Sequence, residues 1–485
     1  MRRRTFLELS LLASGSSLLP RGLMASAPGS SAQLTIHPHA AGNRIGPAFT
    51  GLSYETAELQ NPDFFSGKNQ ELVGLIKRLG SSGVLRLGGG TSAYSYWTPG
   101  PVAAQAAQWH ESIDADTGKH AEPPRKITPL AIRNLRDFLD ATGWQLIYGL
   151  NMGTGSAAAA ADEAAYVTAV IGPKLIGFQL CNEPDLFSMS GVRQPTYNFD
   201  QFAQEWQSFY EVISSRVRGA RLGGPDTAAH NEWLASFAKK FAGDIAFISQ
   251  HYYAEGPPAD PSMNIDRLMK PDPKLIEQLA VMKQVASEEK LPFRLAETNS
   301  CYGIGKPGVS NTLASALWGA DLMYQLAAAG GEGINFHTGG NGWYTPIGGS
   351  LEKGFSAQPI YHGMLLFEQA GAGNLVDIQL ERPVDAPLLT AYAIRGEKGT
   401  LKTVVFNKNS RQTVELTIDP GRRSSRASLL RLSAPSIEST EGITLGSSAV
   451  EANGDWNGNQ EAIQSVHGRY VISMPAASAM LVTFH

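Results

Sequence analysis

The sequence predicts a (β/α)8 TIM barrel followed by a β-sandwich, and three observations predict it. Between residues 48 and 372, short apolar runs alternate with helical patterns eight times without a break. After about residue 372 the texture changes to short β-type runs separated by Gly, Pro, Asn and Ser. Two of the apolar runs stop at a glutamate. Residues 175–180 lead into Cys181-Asn182-Glu183-Pro184, and residues 293–296 lead into Glu297. Proline cannot donate to a sheet ladder, so the strand before Pro184 must end there. That puts Asn182 and Glu183 at a strand's carboxyl end, where barrel enzymes place reactive groups. A doubly wound open sheet is the alternative. The unbroken alternation, and the lack of a Gly-x-Gly-x-x-Gly after the first strand, favour a closed ring.

Residues 28–47 hold one short strand pattern, 33–36, and are expected to pack with the C-terminal domain. The barrel then opens with a strand at 49–53, ending at Tyr54-Glu55. A helix over 71–78 follows, with Leu72, Leu75 and Ile76 on one face. The second strand, 84–87, carries Arg86 and runs into Gly88-Gly89-Gly90, then a loop with Tyr94, Tyr96, Trp97 and Trp109. Helix 128–142 stops at Gly143. Next come strand 145–150, helix 157–171, strand four at 175–180 and helix 199–217. The fifth unit is strand 220–223 with helix 231–241; the sixth is strand 245–251, ending at Tyr252-Tyr253, with helix 274–289. The seventh pairs strand 293–296 with helix 313–329, and the eighth pairs strand 333–336 with helix 359–369. In the remainder, 388–394, 403–406, 414–418 and 480–484 read as sandwich strands within a 373–485 domain.

Composition narrows the function classes. The chain has 485 residues, a net charge of −4 and 17% charged residues, with no basic patch, so nothing supports nucleic-acid binding. Arg2-Arg3-Arg4 precedes a short apolar stretch and a small-x-small site at Ala25-Ser26-Ala27. This predicts a twin-arginine-like signal peptide over 1–27 and a periplasmic or secreted mature protein without a membrane anchor. The two cysteines, Cys181 and Cys301, are far apart and expected to be free, buried thiols. No zinc spacing accompanies them, and no cofactor or metal is expected. The sequence fixes no oligomeric state.

Barrel closure brings strand ends four and seven to one face, so Glu183 and Glu297 share a cleft despite their distance in the chain. Two carboxylates without a metal suit glycosidic bond cleavage: one protonates the leaving oxygen, and the other attacks the anomeric carbon or activates water.

These residues resemble a known group. Asn182-Glu183-Pro184 on strand four with Glu297 on strand seven is similar to retaining glycosidases built on barrels. The stretch Glu297-Thr298-Asn299-Ser300-Cys301-Tyr302-Gly303 resembles the nucleophile motif of glycoside hydrolase family seventy-nine, the family of heparanase and microbial β-glucuronidases. The resemblance implies Glu183 as general acid/base and Glu297 as nucleophile, with their carboxyl groups about 5–5.5 Å apart. Asn182 is then placed to donate to the sugar 2-hydroxyl. Tyr253 either orients Glu297 or simply packs, and Arg86 is a weaker candidate for steadying charge. Glu55 can accept from sugar hydroxyls. The resemblance further implies a uronate clasp made by Tyr302, Gly303, Ile304 and Tyr344. The Gly-rich loop offers backbone N–H groups where no arginine pair is evident. The expected partner is therefore a carbohydrate bearing terminal β-glucuronic acid, cleaved from its end. An endo-acting heparanase-like enzyme, a neutral β-xylosidase or β-glucosidase, and a non-catalytic sugar binder are the alternatives.

Overall fold

The computed structural model describes residues 30–99, 125–340, 342–383 and 388–485. The expected signal peptide and Trp109 lie outside the described residues. The first strand, β1 (Ser30–Ile45), precedes the barrel. The barrel strands are β2 (Thr50–Glu55), β3 (Val84–Gly88), β4 (Gln145–Leu150), β5 (Leu175–Leu180), β6 (Leu222–Thr227), β7 (Ile245–Glu255), β8 (Phe293–Cys301) and β9 (Gly333–His337). They close in the order β8-β9-β2-β3-β4-β5-β6-β7, and every pair is parallel.

One long helix follows each strand: α1 (Gln70–Arg78), α2 (Pro129–Thr142), α3 (Ala157–Ile171), α4 (Phe199–Arg216), α5 (Asn231–Phe241), α6 (Pro273–Glu289), α7 (Leu313–Ala329) and α8 (Pro359–Ala370). Local chemistry sets their limits. In α2, Thr128 accepts from Ala131 N, Pro129 occupies the first turn, and Gly143 ends the helix at φ 82°. Asn198 and Gln201 make a reciprocal capping box at the start of α4.

Three barrel strands depart furthest from the expected spans. β6 is Leu222–Thr227 rather than 220–223, so it includes Pro225 and Asp226. β7 continues to Glu255 and β8 to Cys301. They run on because their polar side chains find partners inside. The Thr298 hydroxyl donates to Tyr252 O at 2.5 Å, and Asn299 Nδ2 donates to the carbonyls of His337 (2.9 Å) and Tyr344 (3.1 Å). Two short ribbons also follow barrel strands: Ser95–Trp97 with Arg125–Ile127, and Ile347–Ser350 with Gly354–Ala357.

The C-terminal strands are β10 (Gly373–Glu381), β11 (Leu389–Gly396), β12 (Leu401–Asn407), β13 (Val414–Asp419), β14 (Arg426–Ser433), β15 (Thr444–Leu445), β16 (Glu461–Gln464), β17 (Tyr470–Met474) and β18 (Ser478–Phe484). With β1 they make one ten-stranded sheet, ordered β15-β14-β18-β12-β11-β10-β1-β13-β17, with β16 beside β14. β1 pairs antiparallel with β10 and parallel with β13. The sheet folds over a single apolar core that includes Leu34, Val405, Leu416, Ile472 and Val482. Alternate residues of the same strands, such as Val404 and Phe406 of β12, face the barrel's core instead. Helix α7 lies between the two domains, buried on nearly all sides, which accounts for its lack of a polar face. Tyr324 of α7 stacks on Tyr392 of β11 at 4.8 Å.

Candidate active site

The carboxyl ends of the barrel strands converge on Arg86 of β3. Its guanidinium is fully buried, and each of its five N–H groups has an acceptor. Nε donates to Gln179 (3.0 Å), and Nη1 to Ser53 (3.1 Å) and Glu297 Oε2 (2.5 Å). Nη2 donates to Asn182 Oδ1 (2.8 Å) and to Asp226. Gly88 makes room for this side chain, since a Cβ there would stand 2.3 Å from the guanidinium carbon. An uncompensated buried cation would be prohibitive, so Arg86 and the acids around it depend on each other.

Glu183 and Glu297 come together as expected of two strand ends on one ring face. One carboxylate oxygen from each and a nitrogen of His251 all lie within 4.8 Å of one another. Glu183 sits just past β5 in the left-handed region, φ 50°, as do Cys181 (φ 93°) and Asp226 (φ 62°). Such backbone is costly for non-glycine residues and persists where the surroundings hold it. Here the Glu183 N–H donates to Asp226 O at 3.0 Å.

Electrostatics divides the two acids. Burial opposes ionisation of Glu297, but the charges of His337, His251 and Arg86 overcome it and hold this carboxyl well below the usual range. Burial raises Glu183; His251 partly offsets this, Glu297 adds to it, and the net shift is upward. Burial lowers His251, but Asp226 and Glu297 push it up to about 10. As a cation His251 donates from Nδ1 to Glu183 Oε1 (2.8 Å) and from Nε2 to Asp226 Oδ2 (3.1 Å). Burial also works against charge on His337, and Glu297 and Glu55 override it, raising that group well above its ordinary value. Its Nδ1 faces Glu297 Oε2 at 3.4 Å and its Nε2 faces Glu55 Oε1 at 3.5 Å. Asp226 and Glu55 are both held low, against burial, by Arg86 with His251 and by His337 respectively. Three cations, Arg86, His251 and His337, thus balance three carboxylates, Glu297, Asp226 and Glu55. Glu183 is the fourth acid and the one whose pKa is raised.

The remaining predicted residues fall into two groups. Asn182 and Tyr253 lie within the cluster. Arg86 donates to Asn182 Oδ1, which turns the amide N–H2 the other way. The Tyr253 hydroxyl donates to Glu297 Oε1 at 2.8 Å. Tyr344 is buried beside it, its ring 6.2 Å from Tyr253 and 5.8 Å from His337. Glu55 is held by Thr91 N at 2.9 Å and by the Thr91 hydroxyl. Tyr302, Gly303 and Ile304 form the rim, with Tyr302 and Ile304 partly exposed. Their loop is tied to the next by Trp343 N donating to Ile304 O at 2.7 Å. Gly303 (φ 69°), Ile304 (φ 65°) and Gly305 (φ 85°) are successive left-handed residues, and a β-branched residue there is a marked outlier. Cys181 and Cys301 are buried and unjoined.

His251, His337, Asp226 and Gln179 were not singled out from sequence. A signal for three of them existed: Gln179, Asp226 and His337 each close or nearly close a barrel strand, the same position that drew attention to the glutamates.

Comparison with known proteins finds glycoside hydrolases. Residues 391–481 match the glycosyl hydrolase family 79 C-terminal beta domain. A β-glucuronidase from Aspergillus niger is 26% identical over 421 residues, covering 80% of this chain and 74% of its own. One from Neurospora crassa is 23% identical over 442 residues, covering 79% and 75%. In overall fold the chain is similar to a 4-O-α-L-rhamnosyl-β-D-glucuronidase from Fusarium oxysporum 12S, with TM-score 0.74 and 18% identity over 93% of this chain and 100% of that one. With that C-terminal domain packed on a barrel whose mouth carries two glutamates with their pKa values driven apart, this chain is a glycoside hydrolase, similar to family 79 in its C-terminal domain and to β-glucuronidases over most of its length.

Proposed function

We propose that this protein is a retaining exo-β-D-glucuronidase that removes terminal β-linked glucuronic acid by double displacement. The observation that carries the reading is the close approach of Glu183 and Glu297 with their pKa values driven apart. Inverting enzymes hold their carboxyl groups about 6.5–9.5 Å apart to admit a water, and retaining ones about 5–5.5 Å. The relatives named β-glucuronidase support the choice of sugar.

In the first step Glu297, ionised and aimed by Tyr253 and Arg86, attacks the anomeric carbon while Glu183 gives its proton to the departing oxygen. His251 occupies Glu183 Oε1, so the proton is carried on Oε2. Esterification removes the charge of Glu297, and Glu183 ionises in its place, so the balance against Arg86, His251 and His337 is kept. In the second step Glu183 takes a proton from water, which attacks the anomeric carbon and frees Glu297. Asn182 donates to the sugar 2-hydroxyl, a bond that tightens as the ring gains oxocarbenium character. Glu55 accepts from a ring hydroxyl, and the loop of Tyr302, Gly303 and Ile304, with Tyr344, meets the uronate. The strained Ile304 supports that role, because such backbone collects where a ligand is gripped.

The same reading makes residues 48–372 the catalytic domain and 373–485 a covering one. It also has residues 1–27 removed on export by the twin-arginine route. N-terminal sequencing of protein recovered outside the cytoplasm tests the latter; an intact Met1 there overturns it. For the substrate, 4-nitrophenyl β-glucuronide is assayed beside the xyloside and glucoside. Strong preference for the glucuronide is expected, and comparable turnover of all three removes the uronate assignment.

A further inference from the structure

Asp185 ends the motif that begins at Asn182, yet it touches none of the reacting groups. Its side chain is fully buried and accepts from Ala228 N (3.0 Å), Ala229 N (3.1 Å) and His230 Nδ1 (2.9 Å). One carboxylate therefore ties the turn after β5 to the turn after β6 and fixes an imidazole there. The His230 side chain keeps 45% of its surface open to solvent. The Asp185 hydrogen bond outweighs partial burial and raises its pKa. With Nδ1 engaged, Nε2 is the ring atom left for a ligand. The imidazole is backed by Trp233, ring to ring at 6.1 Å, and Trp233 in turn stacks on Phe202 at 5.5 Å. An ionisable ring is thus presented on a rigid support, an arrangement that suits recognition.

Its position selects what it can read. Glu183 delivers a proton to the leaving oxygen, so the aglycone departs over the loops following β5 and β6. Those two segments also meet where Glu183 N donates to Asp226 O. The Tyr302–Ile304 loop follows β8, two strands further round the ring from β6. We propose that His230, held by Asp185, is a specificity-determining contact for the leaving group. It donates from Nε2 to a hydroxyl or ring oxygen of a glycosyl aglycone, which makes saccharides a preferred class of leaving group. This rests on the glucuronidase reading.

The test compares two uronides: β-glucuronyl fluoride, which has no organic aglycone, and a β-glucuronosyl disaccharide. The readout is the ratio of kcat/KM for the disaccharide to that for the fluoride. His230→Ala lowers the ratio about tenfold, the worth of one hydrogen bond to a partly buried group. His230→Gln, which keeps an N–H donor, recovers part of it, and Asp185→Asn falls between. An unchanged ratio in His230→Ala, or equal loss on both substrates, overturns the proposal. A wild-type enzyme inactive on both uronides overturns the glucuronidase reading itself, and this inference with it.

Discussion

The Arg86 cluster at the barrel mouth and the Asp321 cluster between barrel and sandwich both bury charge, but they distribute it differently. Asp321 on α7 receives Lys408 Nζ (2.5 Å), the hydroxyls of Thr390 and Tyr392 (both 2.9 Å) and Gln325 Nε2 (3.1 Å). One anion meets one cation, the rest of its capacity is filled by neutral donors, and none of these residues has left-handed backbone. Around Arg86 four acids share three cations, and Cys181, Glu183 and Asp226 are all left-handed. The first arrangement pairs one charge with one charge. The second leaves one proton that moves cheaply between steps, because losing the charge of Glu297 and gaining that of Glu183 are compensating events. A structural ion cluster and a reactive one are distinguished here by charge count and strain rather than by burial.

The contrast can be broken or sharpened experimentally. Glu297→Gln is expected to cost a thousandfold or more in kcat, on the order of other nucleophile removals, while uronide binding measured by calorimetry persists; full activity would end the nucleophile assignment. Glu183→Ala should cost about 10²–10⁴-fold on substrates with basic leaving groups. Glucuronyl fluoride should suffer far less, and added azide should yield β-glucuronyl azide; equal losses on both substrates would contradict an acid/base role. Lys408→Met strands Asp321 and should lower stability by about 3–5 kcal/mol, seen as a shift in denaturation midpoint, with kcat/KM of the folded fraction unchanged. Tyr253→Phe removes a hydrogen bond to a charged group, worth about 1.5–3 kcal/mol, and should slow kcat about ten- to a hundredfold. The smallest effect is on pH. Activity requires Glu297 ionised and Glu183 protonated, so kcat/KM should fall as pH rises through the raised pKa of Glu183. The acid limb should lie below the ordinary carboxylate range. A loss of activity between pH 4 and 5 on the acid side would contradict the depressed Glu297.

Much of the barrel was legible because eight apolar runs alternate with eight helical patterns, most of them amphipathic, a periodicity that burial enforces. Glu183 and Glu297 were legible because each interrupts an apolar run. The interior of the site was not. Parallel strands buried on both faces are expected to be apolar, so polar residues such as His251, Thr298 and Asn299 read as strand ends. In the folded chain β7 and β8 continue through them, since neighbouring strands satisfy each polar group. Arg86 read as a minor candidate because its five acceptors come from β2, β5, β6, β8 and the turn after β5, which only closure brings together. In the sandwich, β10, β14, β15, β16 and β17 went unread: β15 is only two residues long, and polar residues such as Asp377, Ser428, Arg431, Glu461 and Ser473 interrupt the apolar runs of the others.

The most direct measurement follows the anomeric configuration of the first-formed sugar by NMR during hydrolysis of an aryl β-glucuronide. If Glu297 and Glu183 work as two hands of one double displacement, β-glucuronic acid appears first and then mutarotates toward the α anomer. If the α anomer appears first, a single displacement by water has occurred, and the shared-charge account of the two glutamates is wrong.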